Sequence, residues 1–72
     1  MYNISRGRCL LRKLLKSRNM TQTEFALRSG WSQRMVSYYC RDERKMSVEA
    51  MYVASLILEV NMADLYEWIL EQ

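Results

Sequence analysis

The side chains that could do chemistry in this 72-residue chain are cations rather than catalytic groups. Histidine is absent, which removes the commonest general base and metal ligand and excludes Ser-His and Cys-His nucleophile pairs. The two cysteines, Cys9 and Cys40, are too few for a disulfide scaffold and lack metal-binding spacing, so we expect two buried thiols. We therefore expect no enzyme, no cofactor or metal site, and no small-molecule substrate.

The charges are divided unequally between the two parts of the chain. All eleven basic residues lie between Arg6 and Lys45 beside three acidic ones, whereas positions 46–72 carry five acidic residues and no basic one. An anionic partner is therefore expected at the basic end. A basic surface alone is compatible with solvated side chains as well as with a nucleic-acid contact, so a motif must distinguish the two.

Neither a membrane span nor a secretion signal is predicted. The longest apolar stretch, residues 51–58, is far shorter than the roughly 20 residues that cross a bilayer. Arg12 and Lys13 interrupt the leucines near the N-terminus, and no small-residue cleavage site follows them. We expect a cytoplasmic protein with no membrane partner.

The elements that position the cations are predicted to be helices. Proline is absent, glycine occurs twice, and the common residues favour helix. We predict an all-α, compact five-helix domain over residues 1–72. Arg6 and Arg8 oppose the dipole at the start of the first helix, so residues 1–7 are expected to fray into a flexible arm whose Arg6 contacts phosphate. The predicted helices cover about residues 5–17, 22–29, 33–40, 48–58 and 62–72.

Local signals mark where several of these helices begin and end. Thr21 to Glu24 has the pattern of a capping box, and Ser32, Ser47 and Asn61 are predicted to cap the following three helices. Gly30 can adopt the left-handed conformation that closes a helix. Two helices are therefore predicted to meet across three residues.

The last two predicted helices are unusually apolar. The side chains of the helix at 48–58 point in nearly all directions, which predicts a central, buried helix. The last helix has a wider apolar arc than one small core can cover, so we expect a homodimer interface; the alternative is that Trp68 lies over the edge of the core. The expected interface residues are Leu65, Trp68, Ile69 and Leu70.

Residues 22–41 carry the spacing of a helix-turn-helix. Ala26 is small where the helices cross, Gly30 makes the turn, and Val36 points inward from the second helix. Phe25, Trp31 and Tyr39 are the other inward-pointing residues. With the Thr21-Gln22 start and the turn at residues 29–32, the chain resembles the phage-repressor and Cro-type helix-turn-helix family, also called XRE-like or lambda-repressor-like, over about residues 8–66.

The resemblance implies a five-helix domain that binds operator DNA as a dimer, with its third helix in the major groove. Arginine can bind guanine bidentately and glutamine can bind adenine. The residues implied to contact bases are Gln33, Arg34, Ser37 and Tyr38. The residues implied to contact phosphate are Gln22, Ser32, Arg41, Arg44 and Lys45.

Three positions depart from the family pattern. Many relatives pair an arginine of the first helix with a glutamate at the end of the third, but Leu15 and Cys40 stand there, and we expect these two apolar side chains to touch. Asp42 stands where a glycine is frequent, and the loop that follows is one residue longer.

Two functions follow from these observations. The first is a sequence-specific DNA-binding transcriptional regulator of the Cro or repressor type, a homodimer that occupies a palindromic operator in double-stranded DNA. The alternative is a helix-turn-helix protein-interaction module that binds and modulates another transcription regulator, as an antirepressor would. DNA binding weakens steeply with salt, whereas an apolar protein contact does not.

Overall fold

The computed structural model describes residues 2–71, and that part of the chain folds into four helices and a two-stranded antiparallel sheet. The predicted five-helix, all-α fold is therefore wrong at both ends of the chain. In order, the elements are β1 (Asn3–Cys9), α1 (Leu11–Ser17), α2 (Gln22–Ser29), α3 (Gln33–Cys40), α4 (Val48–Leu58), a 3-10 turn (Met62–Leu65) and β2 (Tyr66–Glu71).

The predicted caps of α2, α3 and α4 are confirmed, but the predicted capping box of α2 is only half formed, because the Glu24 carboxylate accepts from Arg28 and not from the Thr21 N–H. The Thr21 hydroxyl accepts the Glu24 N–H at 3.0 Å, and the Ser32 and Ser47 hydroxyls each accept the N–H three residues on at 3.1 Å. Gly30 closes α2 with φ 78°. These bonds satisfy donors that a helix start otherwise leaves unpaired, so each helix begins where its own cap lies.

The first predicted helix begins six residues later than expected, because residues 3–9 form β1 instead. Within that strand the flexible arm is replaced by pairing with β2, in which Ile4 lies opposite Leu70 and Arg6 opposite Trp68. Gly7 permits this pairing, since a Cβ there would lie 2.6 Å from the Glu67 carbonyl oxygen. The partner strand, β2, lies at the other end of the sequence, so the residues around β1 contain no signal that predicts this pairing.

Over residues 62–71, the fifth predicted helix is instead a single 3-10 turn followed by β2, and the last predicted residue, Gln72, lies outside the described residues. The Asp64 carboxylate accepts the Asn61 N–H at 3.1 Å, and the chain then becomes extended at Tyr66. Tyr66 is 2% exposed, and its hydroxyl accepts the Met46 N–H at 2.9 Å. The extended backbone lets this ring enter the core while β2 pairs with β1, and aromatic and branched residues favour that conformation.

One hydrophobic core joins the helices to the first residues of the sheet. Both cysteines are buried free thiols, as predicted, and Leu15 belongs to the same core as Cys40. The prediction that α4 is buried all round is wrong along one stripe, because Val48, Tyr52 and Leu56 are more than half exposed. None of the helices in residues 2–71 is long and apolar enough to cross a membrane.

Candidate nucleic-acid interface

The packing of α2 against α3 holds the helix-turn-helix in one geometry. Ala26 and Val36 are buried at the crossing, as predicted. The Trp31 ring stands edge-on to Phe25 at 5.6 Å and to Tyr39 at 5.4 Å between centroids, and this arrangement is favourable for aromatic pairs. The turn is also held by its own bond, in which the Trp31 N–H donates to the Ser29 hydroxyl at 3.2 Å.

The outer face of α3 carries the four residues that were predicted to contact bases. Gln33 and Arg34 are exposed in the first turn, and Ser37 and Tyr38 are half-buried one turn later. Spacing of three and four residues places them on one side of the helix, opposite the buried Val36. Within residues 2–71, neither Gln33 nor Arg34 has a side-chain hydrogen bond or ion pair, so both can bind an external partner.

An open depression of about 400 Å³ lies beside this face, lined by Arg34, Tyr38, Glu43 and Arg44. The Arg44 guanidinium rests 3.8 Å from the Met35 sulfur, which turns the charge towards α3. Arg34 and Arg44 therefore border one concave, mainly cationic surface at which phosphate could be held.

The loop after α3 differs from the expected row of free cations. Arg41 forms an ion pair with Glu43 at 3.3 Å, and its guanidinium carbon lies 5.8 Å from the centre of the Tyr38 ring. Asp42 adopts the left-handed conformation, φ 59°, at the position where the family often has glycine. The pairing of Arg41 with Glu43 was not predicted, because it depends on the backbone turn at Asp42 that brings the two side chains together. Arg44 and Lys45 are exposed.

Two polar side chains stand at the starts of α2 and α3. Gln22 is the first residue of α2 and is half-buried. The Ser32 hydroxyl oxygen accepts the Met35 N–H, and its own proton remains available to a phosphate oxygen. Helix N-termini carry partial positive charge, so both positions suit an anion.

Two of the predicted site residues lie elsewhere. The Arg6 guanidinium donates to the Met46 carbonyl at 2.7 Å and lies 4.8 Å from the centre of the Tyr66 ring, so it joins the sheet to the loop before α4. Leu65, which was predicted to lie at a dimer interface, is instead fully buried in the core of the single chain. By contrast, Trp68, Ile69 and Leu70 remain 43–52% exposed on β2.

Burial keeps both free thiols in the protonated form. Burial and, to a smaller extent, the neighbouring Cys9 together raise the pKa of Cys40 to about 11, against a smaller lowering by Arg12. Burial also raises the pKa of Cys9 and of the Tyr66 phenol. Protonated thiols are poor nucleophiles and poor metal ligands. Residues 2–71 contain no group of three metal-ligating side chains.

Comparison with known families matches a helix-turn-helix family over residues 11–65, more than half of the chain. The chain belongs to this helix-turn-helix family. The match confirms the resemblance to repressor and Cro-type domains, and it supports a DNA-binding regulatory domain. Both strands of the sheet, Asn3–Cys9 and Tyr66–Glu71, lie outside the matched residues. Among curated proteins, no match is found.

Proposed function

We propose that this helix-turn-helix protein is a sequence-specific transcriptional regulator of the Cro or repressor type, which inserts α3 into the major groove of an approximately palindromic operator. The exposure of Gln33 and Arg34 in the first turn of α3 is the observation that carries the proposal. Arg34 can bind the O6 and N7 atoms of guanine, and Gln33 can bind the N6 and N7 atoms of adenine. Neither side chain must break an internal bond to do so.

Contacts to the DNA backbone would fix the position of α3 in the groove. Gln22 and Ser32 suit phosphate through the helix starts at which they lie. Arg44 and Lys45 are exposed and supply charge without sequence preference. Arg41 is a weaker candidate, because Glu43 already neutralises it.

The homodimer is proposed to form through the exposed sheet. Cross-strand partners in an antiparallel sheet share a face, so Ile4, Trp68 and Leu70 lie together, continuous with the buried Tyr66 ring. Ile69 lies on the opposite face with Ser5. A second copy would cover apolar surface that one copy leaves in water, and binding to a palindromic operator requires that the two α3 helices of the dimer lie about 34 Å apart.

Binding-site selection from random duplexes at two salt concentrations tests the DNA-binding function. We expect enriched inverted repeats, and affinity that falls with salt at a slope near −0.9 per neutralised phosphate. Arg34→Ala should relax preference at one base pair by about 1–3 kcal/mol. Arg28→Ala is the control, because this exposed arginine of α2 is paired with Glu24. Absence of any enriched sequence at low salt would contradict the proposal.

Sedimentation of two matched leucine variants tests the dimer. Leu70→Glu, on the sheet, should give a monomer, whereas Leu56→Glu, on α4, should leave the dimer intact. Leu70 is 52% exposed and Leu56 is 60% exposed, so the two variants have similar solvent accessibility and differ mainly in which surface of the protein they alter. A monomeric wild type, or loss of the dimer in Leu56→Glu alone, would exclude the sheet as the interface.

A second candidate function is binding to another transcription regulator. The observation that favours it is the exposed stripe of Val48, Tyr52 and Leu56 on α4, which is distinct from the sheet. Binding to a purified regulator would support this function over operator binding if the affinity depends little on salt. That binding should be lost in Leu56→Glu and retained in Arg34→Ala.

A further inference from the structure

An open cavity of about 390 Å³ lies between the end of β1, the outer side of α1 and β2. Its charged lining consists of four cations, Arg8, Arg12, Lys13 and Lys16, and one carboxylate, Glu67. Positions 12, 13 and 16 are spaced to lie on neighbouring parts of one helix surface. The cavity therefore combines residues from both ends of the sequence, and its concave shape can surround a ligand.

The lining of this cavity concentrates positive charge. These five side chains carry a net charge of +3, equal to that of the whole chain. In residues 2–71 the ion pairs join Arg28 to Glu24 and Arg41 to Glu43, so the four cations have no carboxylate within pairing distance. Like charges gathered in this way repel one another until an anion neutralises them.

The cavity is separate from the surface assigned to operator bases. It shares no residue with the depression lined by Arg34 and Tyr38, and it uses both strands that lie outside the matched family residues. The cavity lies near the end of α3. Arg12, which lines it, is close enough to Cys40 that its charge lowers the pKa of that thiol slightly, against the larger effect of burial.

We propose that this cavity binds a phosphate-bearing anion, and a diphosphate in preference to a single phosphate. Guanidinium groups bind phosphate oxygens bidentately, and lysines add point charge. The volume falls within the range of small-ligand sites and exceeds what one phosphate fills. The negatively charged carboxylate of Glu67 repels an anion in the cavity, so it lowers the affinity of the cavity for phosphate. Two sources could supply neighbouring phosphates to the cavity: a free ligand that contains a diphosphate, or successive phosphates of one DNA strand.

Titration of the full chain with inorganic pyrophosphate at low salt, followed by amide chemical shifts, tests the site without DNA. We expect saturable shifts concentrated at residues 8–16 and 67. The double variant Arg12→Gln/Lys16→Gln should weaken binding by about tenfold or more, since it removes two charge-assisted contacts. Glu67→Gln should tighten binding, which a variant that merely damages the fold would not do. Arg28→Gln is the matched control and should bind as the wild type does.

Shifts spread evenly over the basic residues, shifts that peak on α3, or unchanged binding in Arg12→Gln/Lys16→Gln would each overturn the proposal. The source of the phosphate is distinguished with duplex DNA. If DNA supplies it, the double variant also binds the duplex more weakly, and its salt slope falls by about 0.9 for each phosphate that it no longer neutralises. If a free ligand supplies it, only pyrophosphate binding is weakened. Failure of operator selection would leave the pyrophosphate result intact.

Discussion

The helix-turn-helix and the two-stranded sheet show two ways in which a short chain defines structure. In the helix-turn-helix, the bonds that start each helix join residues three apart, such as Thr21 with Glu24 and Ser32 with Met35. In the sheet, the pairing joins opposite ends of the chain, such as Ile4 with Leu70. The first region was predictable residue by residue, and the second was predicted as the wrong type of structure.

The difference also separates the two kinds of function proposed for this protein. The helix-turn-helix lies inside the residues that match the family, and it presents the side chains suited to DNA bases. The sheet lies outside the match and presents exposed apolar side chains and part of a basic cavity. DNA contact is thus proposed for the shared part of the fold and self-association for the added part, whereas the anion-binding cavity combines cations of α1, inside the match, with residues of both strands.

The largest effect is expected from Phe25→Ala, which tests whether the two regions depend on one core. Phe25 is fully buried and contacts Trp31, so its truncation should lower the free energy of unfolding by about 3–5 kcal/mol. Urea denaturation followed by circular dichroism measures this loss. We expect the sheet to unfold with the helices, and a sheet that kept its hydrogen-exchange protection would show that the regions are independent.

Alkaline pH should weaken the junction between the regions. Because Cys40 ionises near 9.0 when unfolded but at about 11 when folded, the folded state favours the protonated thiol. Stability present below pH 9 should therefore decline between pH 9 and 11, by about 2 kcal/mol for this group. Cys9 and Tyr66 act in the same direction. Denaturation across this range should show a smaller decline in Cys40→Ala; an equal decline would exclude this thiol as the cause.

Gly7→Ala is expected to damage the sheet while sparing the helix-turn-helix. The new Cβ would lie 2.6 Å from the Glu67 carbonyl oxygen, and such overpacking costs about 1–3 kcal/mol. Hydrogen exchange should show reduced protection in β1 and β2 alone. Gly30→Ala is the contrasting variant. A Cβ at Gly30 would meet no atom within 4 Å, but the φ of 78° is unfavourable for alanine, so the strain should appear at the turn between α2 and α3.

The smallest of these effects on stability is expected from Ser32→Ala. Loss of the hydroxyl removes the cap on the Met35 N–H, which should cost about 1 kcal/mol in thermal or chemical denaturation. Ser47→Ala removes an equivalent cap from α4 and should cost a similar amount. Only Ser32→Ala should also weaken DNA binding, because only that serine lies at the proposed interface. Equal DNA affinity in the two variants would argue against a phosphate contact at Ser32.

Prediction from sequence succeeded where a helix carries its own signals. α4 runs from Val48 to Leu58 as predicted, and Gly30 closes α2 as predicted. It failed at residues 66–71, because their apolar positions fit a helix as readily as a strand until a partner strand is present. The contact with β1, permitted at Gly7, made the extended form favourable.

The candidate site shows the same division. Gln33 and Arg34 lie on the outer face of α3, as the family resemblance implied, although their contacts with bases stay a prediction. The partners of Arg6 and Arg41 were not predictable, since each arginine is held by a residue that a turn or the sheet brings to it. The basic cavity was missed for the same reason, because Arg8 and Glu67 come from opposite ends of the chain.

By itself, the sequence determined the helix-turn-helix, its outward polar face and the basic part of the chain, because caps, a turn glycine and helical spacing act over a few residues. Tertiary structure alone decided that the two ends pair as strands, which cations remain unpaired within residues 2–71, and where apolar surface stays exposed. Strand donors and acceptors need a partner from another segment, so their structure depends on contacts that no local stretch of sequence contains.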